Sequence, residues 1–170
     1  LSPTTGLSIG GNATLSTLDA TDLDGDGDAD LLLTGTNPNG DLSLLVVTNQ
    51  GGGSWVAGST QTMALGLATP GFVHPVDWDG DGLTDLLYRS NISILAAEPR
   101  VTLLRNLGAG FAAAWQVRVE TTLWPQAVPG DLDGDGNVDL ALPDGVFFGD
   151  GTAENPLPAM PLVSLYGNLP

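Results

Sequence analysis

The stretch Asp22–Leu33, DLDGDGDADLLL, places five carboxylates within nine residues and then becomes entirely apolar. Carboxylates this close repel one another unless a cation lies between them. The stretch occurs twice more, as DWDGDGLTDLLY at Asp77–Tyr88 and DLDGDGNVDLAL at Asp131–Leu142. The three starts are 55 and 54 residues apart. A repeat of this length is typical of propeller blades rather than of short solenoid coils.

The segments around the acidic stretches predict an all-β chain. Each stretch follows a few apolar residues and leads into a strand-like run such as ADLLLTG or TDLLYRS. Asn39-Gly40 lies between two apolar runs, which is a strong hairpin signal, and NLGAG at Asn106–Gly110 is a second predicted turn. No segment has helical periodicity with caps. Each repeat therefore predicts about four short antiparallel strands.

The composition indicates an acidic domain with a substantial core. The 170 residues are 42% hydrophobic and carry a formal net charge of -16, with 24 glycines that suit many turns. This charge should repel nucleic acid and attract cations. No apolar run approaches the ~18 residues needed to cross a bilayer, so membrane insertion is not expected. The chain has no cysteine, which excludes disulfides and thiolate metal sites.

The spacing within each acidic loop predicts a calcium cage. Residues 1, 3, 5 and 9 of every loop are Asp, residue 6 is Gly, and residue 7 varies. Alternate side chains in a tight loop converge, glycine allows the sharp turn, and a variable residue 7 can offer its backbone carbonyl. Hard oxygen donors on a flexible loop favour Ca²⁺ over Mg²⁺, whereas Zn²⁺ prefers His or Cys ligands. The predicted ligands are Asp22, Asp24, Asp26, Asp28, Asp30, Asp77, Asp79, Asp81, Leu83, Asp85, Asp131, Asp133, Asp135, Asn137 and Asp139, with Asp28, Leu83 and Asn137 acting through the backbone carbonyl.

An EF-hand begins with the same D-x-D-x-D-G spacing, but two features exclude it. An EF-hand places a bidentate Glu at position 12 and leads into a helix. Position 12 here is Leu33, Tyr88 or Leu142, and the following residues are strand-like. Catalytic carboxylates are also disfavoured, because an acid–base pair needs two different environments and these loops are equivalent by repetition. We therefore expect no enzymatic activity.

The pattern D-x-D-G-D-G-x-x-D-L before a strand, repeated at this spacing, resembles the FG-GAP/VCBS family of calcium-binding β-propeller repeats. NLGAGF at Asn106–Phe111 and FFGDG at Phe147–Gly151 are similar to further elements of that family. The resemblance implies that each loop joins two neighbouring strands of one blade and holds one Ca²⁺, three in all. It also implies an extracellular location for a chain of this kind. The resemblance predicts the fold better than the function, because such repeats occur in proteins with different activities.

The repeats divide the chain at the first residue of each loop. Residues 22–76, 77–130 and 131–170 form repeats 1, 2 and 3, the last one incomplete. Residues 1–21 are expected to supply a strand that completes a blade, through the segment Gly6–Gly11. Three blades are fewer than the four to eight of typical propellers. We therefore expect either continuation in a longer chain or a homo-oligomer that assembles head to tail into a ring or filament.

Three functions are compatible with this sequence. The first is an extracellular adhesion or recognition module that binds a glycan or a protein. The second is a structural subunit that self-assembles, and the third is the non-catalytic part of a secreted polysaccharide-active enzyme. Trp55, Trp78, Trp115 and Trp124 are expected mainly between blades, with Trp78 the most exposed. The four arginines, all between residues 89 and 118, are expected to pair with the acidic surface.

A pair of substitutions tests the division of ligands in the first loop. Asp28→Asn should leave calcium affinity nearly unchanged, because residue 7 contributes its carbonyl and not its side chain. Asp26→Asn removes a predicted side-chain ligand and should weaken binding by about tenfold or more, which corresponds to about 1.4 kcal/mol. Isothermal titration with Ca²⁺ measures both, and an equal loss in the two variants would contradict the assignment.

Overall fold

A computed structural model describes residues 10, 12–65, 69–91, 100–118, 128–142, 145–154 and 160–161. These residues form thirteen strands in three antiparallel sheets, and no helix occurs among them. Accordingly, this part of the chain contains no helix with the length and apolar character required to span a membrane. The predicted all-β fold of blade-like sheets with about four strands each is confirmed.

The first sheet consists of β1 (Thr14–Thr21), β2 (Asp30–Thr36), β3 (Leu42–Asn49), β4 (Trp55–Ala57) and β5 (Gln61–Met63). The order is β1-β2-β3, and both β4 and β5 then pair with β3, at its two ends. The fourth position of this sheet is therefore a strand that is interrupted between β4 and β5.

The other two sheets repeat this order. The second sheet contains β6 (Thr69–Val76), β7 (Asp85–Asn91), β8 (Arg100–Asn106) and β9 (Phe111–Arg118). The third contains β10 (Val128–Gly130), β11 (Asp139–Leu142), β12 (Gly145–Phe147) and β13 (Met160–Pro161). In all three sheets the first three strands are neighbours in chain order and run antiparallel.

Each acidic loop joins the first and second strands of its sheet. We call them loop 1 (Asp22–Asp30), loop 2 (Asp77–Asp85) and loop 3 (Asp131–Asp139). The sheets therefore begin one strand before the loops, so β1 pairs with β2 in the first sheet. The predicted strand Gly6–Gly11 lies outside the described residues apart from Gly10, and the division into repeats at residues 22, 77 and 131 stays a prediction.

A local irregularity recurs at the same distance before loops 1 and 2. The register between β1 and β2 shifts between Leu15 and Thr17, and that between β6 and β7 shifts between Pro70 and Phe72. Each shift leaves one extra residue in the first strand, as in a β-bulge, which increases local twist. The repetition thus extends to backbone detail that composition does not reveal.

The predicted hairpin turn joins β2 to β3. The N–H of Gly40 donates to the carbonyl of Asn37 over 2.9 Å, and Gly40 has a φ of 82°. Asn39 is not in the left-handed region, so the turn differs from the two-residue type I′ turn that Asn-Gly pairs favour. The Asn37 side-chain oxygen accepts the N–H groups of Asn39 and Asp41, which fixes the longer loop.

The run of leucines after loop 1 is explained by burial on both sides of the first sheet. Leu32 packs in a core shared with Leu86 and Tyr88 of the second sheet, while Leu33 packs in a separate cluster on the other side. Successive residues of a strand point to opposite faces, so a strand covered on both sides needs apolar residues throughout. A second shared core joins Leu87 to Leu140 of the third sheet.

Residue 2 of loops 1 and 2 packs against the following sheet, whereas residue 2 of loop 3 is exposed. Leu23 is 3% exposed and packs with residues of the second sheet, and Trp78 is 2% exposed and packs with residues of the third. The equivalent Leu132 is 49% exposed, because none of the described residues covers it. The same sequence position is therefore core or surface according to whether a further sheet is present.

The expectation that Trp78 is the most exposed tryptophan is wrong. Its indole packs edge-to-face on Trp115, with ring centroids 5.1 Å apart, and its Nε1 donates to the carbonyl of Thr152 over 3.2 Å. Trp115 is also buried, as predicted for a residue between blades, whereas Trp55 is exposed. Trp124 lies outside the described residues.

Matched substitutions at residue 2 of loops 1 and 3 measure how much the packing of this residue against the next sheet contributes to stability. Leu23→Ala removes a buried side chain from the core between two sheets and should cost roughly 2–5 kcal/mol of unfolding free energy. Leu132→Ala alters an exposed side chain at the equivalent position and should change stability by less than about 0.5 kcal/mol. Urea denaturation of both variants measures the difference, and similar losses would contradict the proposed packing.

Candidate metal centres

The carboxylate of residue 9 is the buried anchor of each loop. Asp30 begins β2 and is fully buried, and its Oδ2 accepts the N–H of Leu23 over 2.9 Å. Its Oδ1 accepts the N–H of Asn49, at the end of β3, over 2.8 Å. The same pair of bonds holds Asp85 to Trp78 and Asn106, and Asp139 to Leu132 and Gly149. One carboxylate thus ties the loop to two strands.

The carboxylate of residue 1 organises the tight turn. In loop 1, Asp22 accepts the N–H of Gly25 over 2.8 Å through Oδ1 and that of Gly27 over 2.9 Å through Oδ2. Both glycines have positive φ, 79° and 91°, which side chains other than glycine's disfavour. Loop 3 repeats both bonds between Asp131 and its two glycines.

Residues 1, 3 and 9 form a carboxylate group in every loop. The groups are Asp22, Asp24 and Asp30; Asp77, Asp79 and Asp85; and Asp131, Asp133 and Asp139. Within each group, one oxygen from each residue lies within 4.8 Å of the others, so the three can hold one metal ion. Nine of the predicted ligands are therefore brought together in threes, as the spacing requires.

The predicted ligands at positions 5 and 7 lie in the same loops but outside these groups. The Oδ1 of Asp26 accepts the N–H of Asp28 over 2.8 Å, and loops 2 and 3 repeat this bond from Asp81 to Leu83 and from Asp135 to Asn137. The side chain of Asn137 also donates to Asp135, over 2.9 Å. Coordination by positions 5 and 7 stays a prediction.

Loop 2 contains a buried oxygen that suits a cation. The Oδ1 of Asp77 is buried without a hydrogen-bond partner, whereas the equivalent oxygens in loops 1 and 3 each accept a glycine N–H. An unpaired buried carboxylate oxygen is costly unless a charge or donor satisfies it. Because every side-chain donor in the group is a hard oxygen, the residues fit a hard cation such as Ca²⁺ or Mg²⁺.

Burial and charge raise the pKa of two loop carboxylates, Asp85 in loop 2 and Asp24 in loop 1. Burial raises the pKa of Asp85 from 3.8 to about 6, against the opposing effect of its two backbone hydrogen bonds. The folded metal-free state therefore binds this proton more tightly than the unfolded state, and its ionisation lowers stability as pH rises from about 4 to about 6. Loss of solvent, followed by repulsion from Asp26, Asp30 and Asp22, raises the pKa of Asp24.

Loop 2 also has a protein cation beside it, as expected for an arginine on an acidic surface. The Nε of Arg105 lies 2.6 Å from the Oδ2 of Asp79, outside the angular range of a hydrogen bond, and its NH2 group donates to Asp81 over 3.3 Å. The contact is therefore mainly ionic.

Sequence reasoning missed Asn106, which joins loops 1 and 2. Its side-chain amide donates to the carbonyl of Leu23 over 2.7 Å and to that of Thr84 over 3.0 Å. The hydroxyl of Thr84 in turn donates to the carbonyl of Asp22 over 2.5 Å. The sequence contains a signal for this residue. In the first two repeats, an Asn ends the third strand just before a glycine-rich turn, at Asn49 and Asn106. In the third sheet, Gly149 takes this place, because a Cβ there would collide with the carbonyl of Val138.

No curated protein matches the chain. The family model of the FG-GAP-like repeat matches residues 22–88, which run from the start of loop 1 through β2–β6 and loop 2 into β7. This match confirms the resemblance seen in the acidic motifs, and it includes two of the three carboxylate groups. Residues 22–88 are therefore similar to an FG-GAP-like repeat, and the blade-like antiparallel sheets are consistent with that similarity.

Proposed function

We propose that the chain is a calcium-binding, non-catalytic module that acts outside the cell in recognition of a glycan or a protein. The observation that carries the calcium assignment is the triplicate carboxylate group, in which a buried Asp at residue 9 lies beside two other carboxylates. The unpaired Asp77 oxygen supports it, since a buried acceptor of this kind requires a partner. Flexible loops of oxygen donors favour Ca²⁺ over the more strictly octahedral Mg²⁺.

The role of the ion in this proposal is structural. When bound, it supplies positive charge that converts repulsion within a loop into attraction. Residues 1, 3 and 9 hold it, and residue 9 transmits the constraint to the second and third strands through its backbone hydrogen bonds. Metal binding and folding are then coupled. Extracellular calcium is abundant enough to fill sites of moderate affinity, which supports an extracellular location.

A cleft between the first and second sheets supports a recognition function. It has a volume of about 620 Å³ and is lined by Asp24 of loop 1, by Val56 and by the turn from Leu107 to Gly110. Val56 and Leu107 are exposed apolar residues, and such patches commonly mark binding surfaces. The cleft thus places apolar contacts, backbone polar groups and a calcium loop next to one another, which suits a glycan or a peptide segment.

Calcium titration tests the proposal. We expect isothermal titration to give up to three sites, and Ca²⁺ at 100 times its Kd to stabilise the fold by about 2.7 kcal/mol per site. This corresponds to a rise in melting temperature of roughly 5–10 °C per site for a domain of this size. Excess EGTA should reverse the rise, and Mg²⁺ at equal concentration serves as the control. A melting curve that is the same in Ca²⁺ and in EGTA would contradict the calcium assignment.

A second candidate function, self-assembly, is favoured by the exposed side of the third sheet. Leu132 and Val128 are about half exposed there, whereas the residue equivalent to Leu132 is buried against a neighbouring sheet in both other loops. A further sheet from another copy of the chain would cover this side, in the same way that the second sheet covers Leu23 of loop 1 and the third sheet covers Trp78 of loop 2.

Light scattering over a range of protein concentrations, with and without Ca²⁺, tests this second candidate. Self-assembly predicts a mass that rises with concentration and that Leu132→Asp reduces to the monomer value. A monomer at every concentration would rule out self-assembly and leave the recognition function standing.

A further inference from the structure

Loop 2 differs from the other two loops in having a cation of its own. The Nε of Arg105 is 2.6 Å from the Oδ2 of Asp79, and its NH2 group is 3.3 Å from the Oδ2 of Asp81. The Asp79 side chain is only 5% exposed, whereas that of Arg105 is 40% exposed. In loops 1 and 3, by contrast, the equivalent residues Asp24 and Asp133 are exposed.

The position of Arg105 has a defined equivalent in each sheet. Asn49, Asn106 and Gly149 all donate a backbone N–H to residue 9 of their loops, so the residues immediately before them are structurally equivalent. These are Thr48, Arg105 and Phe148. Only the second sheet therefore presents a positive charge at this position.

The Arg105 guanidinium interacts with a carboxylate that the metal also needs. Asp79 is residue 3 of loop 2 and belongs to the group that can hold an ion together with Asp77 and Asp85. A cation bound by all three would share the Asp79 carboxylate with the guanidinium, and two positive charges this close repel. We propose that Arg105 is a built-in competitor of calcium, which makes loop 2 the weakest of the three sites and keeps the second sheet folded when calcium is absent.

The structure provides a place for the displaced guanidinium. Asp79, Asp81 and Arg105 line a cleft of about 570 Å³ between the second and third sheets, and Glu154 lines the same cleft. Because the Arg105 side chain is partly exposed, it can leave Asp79 without opening the core. Glu154 is an exposed carboxylate in this cleft that can receive it. Occupation of loop 2 would then transfer an ion pair from within the second sheet to the boundary with the third.

This inference rests on the proposed calcium binding by the loops. Titration with Tb³⁺, used as a calcium probe, distinguishes a failure of the inference from a failure of the proposed function. Trp78 is residue 2 of loop 2 and packs on Trp115, whereas loops 1 and 3 have leucine at that position. Tb³⁺ luminescence excited through tryptophan therefore reports on loop 2 and also on loop 3, because the Trp78 indole donates to Thr152 and lies beside Gly149, which is bonded to Asp139. The component of the luminescence that changes in Arg105→Gln is assigned to loop 2, while calorimetry with Ca²⁺ counts all sites.

Arg105→Gln should strengthen Tb³⁺ binding at loop 2 by about tenfold or more, with no change at the other sites. The same variant should melt at a lower temperature than the parent in EGTA but not in saturating Ca²⁺, because only the metal-free loop needs the guanidinium. Arg100→Gln, on the same strand but outside the loops, controls for the loss of one positive charge. An Arg105→Gln variant with unchanged Tb³⁺ affinity at loop 2 would overturn the inference.

The reciprocal variant Thr48→Arg keeps the inference testable if Arg105→Gln does not fold. It places a guanidinium at the equivalent position beside loop 1 and should weaken one of the calorimetric Ca²⁺ sites by about tenfold, leaving the Tb³⁺ signal of loop 2 unchanged. Unchanged affinity at all sites would contradict competition. Absence of any Ca²⁺ binding in the parent protein would instead refute the proposed function itself.

Discussion

The structure depends on a carboxylate that is buried at the ninth residue of each acidic loop. This group accepts one backbone N–H from the loop and another from the end of the third strand, so it fixes the loop relative to two strands of the sheet. Burial of a charged group is unfavourable unless it is paired and hydrogen-bonded. The two hydrogen bonds offset part of this penalty, and the raised pKa of Asp85 indicates that much of it remains. In loop 2, the residue that organises the loop therefore also favours a cation beside it.

Polar contacts between sheets depend on this arrangement. Asn106 and Thr84 of the second sheet donate to backbone carbonyls of loop 1, and the Trp78 indole of loop 2 donates to the third sheet. At the same interface, the Gln61 side chain accepts the Phe111 N–H over 2.8 Å and donates to the carbonyl of the same residue. A change in the geometry of one loop would therefore alter contacts with the next sheet. The loops therefore form contacts between neighbouring sheets as well as turns within their own sheets.

The sequence alone predicts much of this molecule, because its strongest signals are local. The loop spacing, the strands after each loop and the turns at Asn39-Gly40 and NLGAG depend on neighbouring residues, and all of them lie where the pattern places them. The burial of Trp78, the amide contacts of Asn106 and the proximity of Arg105 to Asp79 depend on residues more than 20 positions away. Such contacts are set by how sheets and strands pack together, and no spacing rule within a repeat encodes them. The wrong expectation for Trp78 followed from treating the loop as an isolated turn.

The contrast between Leu23 or Trp78 and Leu132 has a consequence for cooperativity. Each of the first two loops buries its second residue in the neighbouring sheet, so every sheet draws part of its stability from the one beside it. Nearest-neighbour coupling of this kind is described by one-dimensional models, in which interior units are stabilised from two sides and terminal units from one. Among the described residues, the first and third sheets each have a neighbouring sheet on one side only. Local opening should therefore begin at these two sheets and spread towards the centre, with the second sheet the last to exchange its amide protons.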